Sequence, residues 1–176
     1  SYKEGLALIN GTSVMTALAA SLIFDTKNLI KAHTLAACMT LEVLKAKIMP
    51  FHPAAHTQKP HPGQIRIADC VYSTLHDSGM IVKDEEVEQW LRKMASDEPR
   101  GLDEQIEDAY SIRAMPQVMG PVVDTTLFAQ QTIEIELNSS NDNPLIVVEE
   151  GDAVHNANFH GQYVSNAMDQ LAIVLV

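Results

Sequence analysis

Three polar islands stand out in a chain that otherwise reads as apolar helix. The first, Ile9-Asn10-Gly11-Thr12, sets an amide and a glycine where an unbroken helix could run. Glycine inside a helix costs about 1 kcal/mol relative to alanine, so this island predicts a break or a close backbone approach. The second, Glu107-Asp108-Ala109-Tyr110-Ser111-Ile112-Arg113, is followed by Met115-Pro116-Gln117 and brings a carboxylate, a phenol and a guanidinium within seven residues. Arginine grips a carboxylate through two parallel N–H donors, and tyrosine can donate or accept a proton when its neighbours tune it. The third, Asn158-Phe159-His160-Gly161-Gln162, places an aromatic ring between amide and imidazole groups at a predicted helix start. A cap, a turn or a surface pair would explain any one of them; all three together are the candidates for chemistry.

Other chemistries lack parts. His52 and His56 are four apart and His61 follows. Two histidines at that spacing share a zinc ion only on a helix, with a third ligand and usually a glutamate base. Pro53 directly follows His52 and no glutamate lies between, so these histidines read as packing or hydrogen-bonding residues and no metal is expected. His61-Pro62-Gly63 reads as a tight turn into a helix. There is no Ser-His-Asp order, phosphate loop or glycine-rich dinucleotide fingerprint, and Cys38 and Cys70 are not spaced as a redox pair.

The elements that must position these islands are helical. Val14 to Phe24 is one apolar segment, punctuated by Asp25-Thr26-Lys27-Asn28. Leu29, Ala32, Ala36, Met39, Val43, Ala46 and Met49 then recur at three and four, which predicts an αα-hairpin around a short polar turn. Pro50, Pro53, Pro60 and Pro62 exclude a regular helix from 50 to 63. A helix over 64–76 follows, then a Ser78-Gly79 break. Asp84 is placed to N-cap a short helix with Val87, Trp90, Leu91 and Met94 on its apolar face. Beyond Pro116 and Pro121 a helix is predicted from Val122 to about Leu137. The turn Asn138-Ser139-Ser140-Asn141-Asp142-Asn143-Pro144 leads to a short strand or arm over 145–148. Phe159, Tyr163, Ala167 and Leu171 are spaced by four on a last helix. The fold class is therefore all-α: long antiparallel helices of a bundle, joined by proline-rich loops.

The chain of 176 residues is 46% apolar and 20% charged, a globular composition, with a net charge of −11. Ten acidic and three basic side chains fall between 84 and 108, which reads as a solvated face. The shortage of lysine and arginine argues against nucleic-acid or anionic-membrane partners, and no apolar run reaches the roughly 18 residues of a membrane span. Two cysteines are too few for a disulfide framework, so a cytoplasmic setting is expected. The chain starts without methionine and stops on the apolar run 171–176 without a capping glycine. It is expected to be the central helical segment, 1–176, of a longer chain.

With these residues in view, a family likeness appears. Lys3-Glu4-Gly5-Leu6-Ala7-Leu8-Ile9-Asn10-Gly11-Thr12, Asp108-Ala109-Tyr110-Ser111-Ile112-Arg113 and Asn138 to Leu145 resemble the aromatic amino acid ammonia-lyases and 2,3-aminomutases. His61-Pro62-Gly63-Gln64 and Asn158-Phe159-His160-Gly161 fit the same family, in the same order. The resemblance implies an electrophilic prosthetic group, 4-methylidene-imidazol-5-one (MIO), formed from an Ala-Ser-Gly tripeptide. That group captures the substrate amine while a tyrosine base removes a β-proton; lyases release the unsaturated acid and aminomutases return the amine to the β-carbon. By the family's motifs, Asn10 would touch prosthetic group and substrate, and Tyr110 would support the electrophile. Arg113 would bind the substrate carboxylate and Phe159 would pack beside the prosthetic group. Glu107 stands where many members carry glutamine and would sit near the bound amine. The resemblance also implies a homotetramer whose active sites mix residues from several chains.

Departures matter as much. No Ala-Ser-Gly occurs in these residues; Asp77-Ser78-Gly79 is the nearest string and the wrong one. The segment alone is therefore expected to be inactive, its electrophile lying upstream in the parent. Asn141 before Asp142-Asn143-Pro144 resembles the phenylalanine and tyrosine branch more than the histidine branch. The competing readings are a histidine ammonia-lyase and a non-catalytic helical scaffold that only self-associates.

Overall fold

The computed structural model describes residues 4–94 and 107–176. The side chains of Asp84, Trp90 and Met94, and the acidic residues between 95 and 106, lie outside the described residues. The all-α assignment holds, with one small hairpin added. The elements are α1 (Glu4–Asn10), α2 (Ser13–Val43), α3 (Pro53–Thr57), α4 (Pro62–Leu75), α5 (Asp84–Met94), α6 (Tyr110–Arg113), α7 (Met115–Leu137), β1 (Leu145–Val147), β2 (Asp152–Val154) and α8 (Gln162–Val174). A single 3-10 turn, Met49–Phe51, precedes α3. The chain divides into two compact units, one of Ser1–Asn28 with Thr125–Val176 and one of Leu29–Asp124. No single helix among the described residues is long and apolar enough to cross a membrane.

The predicted break at Gly11 is real: α1 and α2 meet there at a bend of 45°. The predicted αα-hairpin is not. α2 runs unbroken through Asp25-Thr26-Lys27-Asn28, because Ser13–Val43 contains neither glycine nor proline and polar residues alone are weak helix breakers. Thr26 hydrogen-bonds back into its own helix, Oγ1 to the Leu22 carbonyl at 2.8 Å, which removes its reason to leave it. The helix ends six residues before Met49. Lys45 adopts φ 49°, Ala46 N–H donates to the Leu41 carbonyl and Lys45 N–H to that of Glu42, a left-handed C-terminal cap made without glycine.

The prolines start helices instead of forbidding them. Pro53 and Pro62 sit in the first turns of α3 and α4, where a missing N–H costs nothing, and His61 is the capping position before α4. α7 likewise begins at Met115, seven residues before the predicted Val122, with Pro116 in its first turn and Pro121 inside it. α5 starts at Asp84 itself, so the capping position falls on Lys83, whose N–H donates to Glu86 Oε1 at 3.3 Å. The predicted arm is β1, paired antiparallel with β2 in the register Leu145↔Val154, Ile146↔Ala153 and Val147↔Asp152. β2 follows a turn at Gly151 (φ 66°) and has no periodicity long enough to betray it.

In the first unit, Ala19 and Ile23 of α2, Ala129 and Ile133 of α7, and Val164, Ala167 and Leu171 of α8 form the core. Of the four residues spaced by four, Tyr163, Ala167 and Leu171 fall on α8 and Phe159 precedes it; Ala167 and Leu171 are buried and Tyr163 is exposed. In the second unit, α4 and α7 approach so closely that neither Gly63 nor Gly120 has room for a side chain. A Cβ at Gly63 would collide with the Gly120 carbonyl, and one at Gly120 would lie 2.7 Å from Gln64 N. Asp124 Oδ1 accepts from Gly63 N–H at 2.8 Å, placing a carboxylate on the first turn of α4, where the helix dipole favours negative charge. Beneath this contact lies His56, 1% exposed. Its Nε2–H donates to the Pro50 carbonyl at 2.9 Å and its Nδ1 accepts from Gln64 Nε2 at 3.0 Å, a neutral tautomer with both nitrogens occupied. The histidine is a packing residue with no electron pair left for a ligand.

Gly120→Ala should lower the free energy of unfolding by about 1–3 kcal/mol, because the Cβ meets backbone that cannot rotate away. Gly79→Ala, with open space around its Cβ, should change it by less than about 0.5 kcal/mol. Denaturant midpoints of the two variants check the contrast; equal midpoints would refute the close approach.

Candidate functional site

The second island is built on a one-turn helix held from behind. Asp108 Oδ2 accepts Lys47 N–H at 2.7 Å, and Lys47 Nζ lies 3.5 Å from Oδ1, both side chains largely buried. Ala109 O then accepts from Ile112 and Arg113, which closes α6 immediately beyond that anchor. One turn of helix puts Tyr110 and Arg113 on the same face, three apart. The guanidinium lies over the Tyr110 ring, Cζ 5.5 Å from its centroid, and Arg113 Nη2 bonds Glu107 Oε2 at 2.9 Å. Arg113 Nε, by contrast, is buried and has no hydrogen-bond partner among the described residues. A cavity of about 270 Å³ opens here, lined by Lys47, Val87, Glu107, Asp108, Arg113 and Gln117 among others. Tyr110 is exposed. Of the two cations here, Lys47 is held by the largely buried Asp108 and Arg113 by the exposed Glu107.

The first and third islands lie in the other unit, and a single loop holds both. Thr12 is 1% exposed; its hydroxyl donates to Glu136 Oε1 at 2.5 Å and accepts from Asn141 Nδ2 at 2.6 Å. Asn143 Oδ1 accepts Asn156 N–H at 2.8 Å, and Asn158 Nδ2 donates to the Ser140 carbonyl at 3.2 Å. The asparagine-rich turn is therefore a clasp, with the Asn10-Gly11-Thr12 break on one side and the approach to Phe159 on the other. Gly161 closes against Met15: a Cβ there would meet Met15 Sδ at 2.5 Å. His160 Nδ1 accepts Gln162 N–H at 3.3 Å, so the imidazole caps α8. Asn10 is exposed and Phe159 half-buried.

The structure thus brings Glu107, Tyr110 and Arg113 together in one unit and ties Asn10 and Phe159 to a common loop in the other. Sequence reasoning missed Glu136 and Lys47. Glu136 looked like one more acid on a long helix, and Lys47 like part of a helix that in fact ends before it. Among the described residues no group of three or more histidine, cysteine, aspartate or glutamate side chains could hold a metal ion. Cys38 and Cys70 are both free; burial pushes the Cys38 thiol up, with Cys70 and Glu42 adding to the effect.

A family profile described as aromatic amino acid lyase matches residues 1–176. The chain belongs to that family. It is 43% identical over 169 residues to the phenylalanine ammonia-lyase of Nostoc punctiforme, covering 96% of this chain and 28% of that one. To the tyrosine 2,3-aminomutase of Myxococcus fulvus it is 36% identical over 176 residues, covering 99% and 34%. Among solved structures, the phenylalanine aminomutase of Pantoea agglomerans superposes with a TM-score of 0.91 at 47% identity, covering 99% of this chain and 34% of that one. The chain spans about a third of the length of these aromatic amino acid lyase relatives.

Asp108→Ala should strip the Lys47 amide and ammonium of their partner and cost about 1.5–3 kcal/mol, because hydrogen bonds to a largely buried charge are the strong ones. Glu107→Gln, at an exposed pair, should cost less than about 1 kcal/mol. Thermal unfolding of both variants tests the ranking; a larger loss for Glu107→Gln would reverse the roles assigned to them.

Proposed function

We propose that the protein carrying these residues is an ammonia-lyase or 2,3-aminomutase of aromatic amino acids, with phenylalanine and tyrosine as the first substrates to test. The observation that carries this reading is Arg113. A half-exposed guanidinium set over Tyr110 at the edge of a cavity, and paired there with an exposed carboxylate, suits a ligand carboxylate that accepts from two of its N–H groups at once. An incoming carboxylate competes with Glu107 for the same cation, and the exposed Glu107 can turn away at little cost. The relatives named phenylalanine ammonia-lyase, tyrosine 2,3-aminomutase and tyrosine ammonia-lyase support the aromatic side chain. Histidine ammonia-lyases at 37% identity keep histidine among the substrates to be tried.

The prosthetic group proposed for the working enzyme is MIO, the family's electrophile. Asn10 in one unit carries an exposed amide next to the α1–α2 break and Tyr110 in the other an exposed phenol, and each would offer its polar group to MIO in the site it serves. MIO supplies an electrophile for the substrate amine. The chain's own residues would hold and orient: Arg113 the carboxylate, Glu107 the amine, with Asn10 and Tyr110 as hydrogen-bonding groups. The Ala-Ser-Gly precursor is not among these 176 residues, so the segment supplies holders and not the group itself. A homotetramer is proposed as the working assembly; the exposed Leu18, Leu22, Leu29, Leu35, Met39 and Val43 along α2 provide apolar surface for it.

Incubating the full-length protein with phenylalanine, tyrosine and histidine, and separating unsaturated acid from β-amino acid by chromatography, tests the reading. Turnover of phenylalanine or tyrosine is expected, with Arg113→Lys raising KM by about tenfold through loss of the two-pronged grip. The isolated 176-residue chain should turn over none. Absence of turnover by the full-length protein on all three would refute the assignment.

A further inference from the structure

We infer that Glu136, Thr12 and Asn141 are positioning residues for Asn10: a hydrogen-bonded line that fixes the α1–α2 break and with it the direction of the Asn10 amide. This rests on the reading of Asn10 as a site residue and goes beyond it by assigning what holds it there. Asn141 Nδ2 can only donate and a carboxylate is the acceptor at the other end. The order is therefore set: Asn141 N–H to Thr12 oxygen, Thr12 O–H to Glu136. Thr12 stands at the capping position of α2, where a hydroxyl ordinarily accepts from an amide of the helix it starts. Here the hydroxyl is turned to partners 129 and 124 residues away in sequence. The start of α2 is carried instead by the Thr12 carbonyl, which accepts both the Thr16 amide at 2.9 Å and the Thr16 hydroxyl at 2.7 Å.

The residue between Asn10 and Thr12 is held by the same line. A Cβ on Gly11 would lie 3.1 Å from Asn141 Oδ1, so Asn141 packs against one neighbour of Asn10 while bonding the next. Asn10 ends α1, a helix of seven residues with no buried side chain. The Asn141 contacts with Gly11 and Thr12 fall at the end of α1 that carries Asn10. Thr12, at 1% exposure, is among the most buried polar residues of the chain, two positions from an exposed amide. A buried, saturated hydroxyl beside an exposed functional group is the arrangement expected when one sets the geometry of the other.

The test is a set of variants in the full-length enzyme, assayed with its amino acid substrate while circular dichroism reports the fold. Thr12→Val keeps the shape and removes the hydroxyl; Glu136→Ala removes the acceptor. Each should lower kcat by about 10- to 100-fold with little change in KM, as expected for an ångström-scale misplacement of a group that Arg113 does not control. Thr12→Ser and Glu136→Gln, which keep a hydroxyl and an acceptor, should restore most of kcat. In an Asn10→Ala background, Thr12→Val should add almost nothing, since its effect acts through Asn10. The same loss in both backgrounds, or no loss from Thr12→Val and Glu136→Ala alone, overturns the positioning role. If Thr12→Val does not fold, Glu136→Ala and the two conservative variants decide. Unchanged activity in Asn10→Ala alone would instead overturn the assignment of Asn10 itself.

Discussion

A helix that stops inside a protein leaves up to four N–H groups or four carbonyls without partners, and the candidate residues of this chain all stand at such stops. Asn10 closes α1, Tyr110 opens the single turn of α6, and Phe159 lies just before α8. Meeting the loose backbone groups requires side chains brought from elsewhere, and those side chains then define the local geometry. Asp124 does this for α4 through Gly63, while Asp108 anchors the approach to α6 by accepting the Lys47 amide. Asn138 and Ser139 return to the last carbonyls of α7, at 2.7 Å to Glu134 and 2.6 Å to Ile135. In a chain so rich in helix formers, a functional group can be aimed away from its helix only where the helix is interrupted, and each interruption demands this polar support.

Two kinds of polar residue follow. Thr12, His56 and Gln64 are buried with their hydrogen-bonding groups engaged. Leaving any of their partners unpaired would cost about 1–3 kcal/mol. Asn10 and Tyr110 are exposed, and Arg113 keeps one donor unmet. Gln130 Oε1 on α7 is likewise buried without a hydrogen-bond partner among the described residues, so an unmet group alone does not separate site from scaffold.

The sequence revealed the helices and the islands but not how the breaks are made. Gly11 was legible as a break because glycine is costly in a helix interior. Asp25-Thr26-Lys27-Asn28 was misread as one because polarity resembles punctuation, yet Thr26 can satisfy itself within the helix. Proline was read as an excluder where Pro53, Pro62 and Pro116 are initiators, a distinction that depends on register and not on composition. The asparagine-rich turn was legible as a turn. Its role as a clasp was not, because Asn141 and Thr12 are 129 residues apart and no local pattern links them. Glu136 was invisible for the same reason. The spacing of four from Phe159 to Leu171 marked the last helix, but the buried face is Val164, Ala167 and Leu171, spaced by three and four, with Tyr163 beside it in solvent.

Polar satisfaction and apolar burial are solved at different scales in this chain. Every interruption described above is completed by residues of the same unit, often within a few ångströms of the break. The apolar faces are not. Leu18, Leu22, Leu29 and Leu35 on α2 are each more than half exposed, as are Ile135 and Leu137 on α7. At about 25 cal/mol per Å² of apolar surface, a row of such leucines left in water would forfeit several kcal/mol, a large share of the stability of any domain. Helices of this composition therefore call for cover from outside the residues described, whether from the same chain or from copies of it. Hydrogen bonds are short-ranged and directional, so a break must be closed by what lies beside it. Hydrophobic surface is indifferent to the identity of its partner, so its cover need not come from beside it, whereas each helix break must be closed locally.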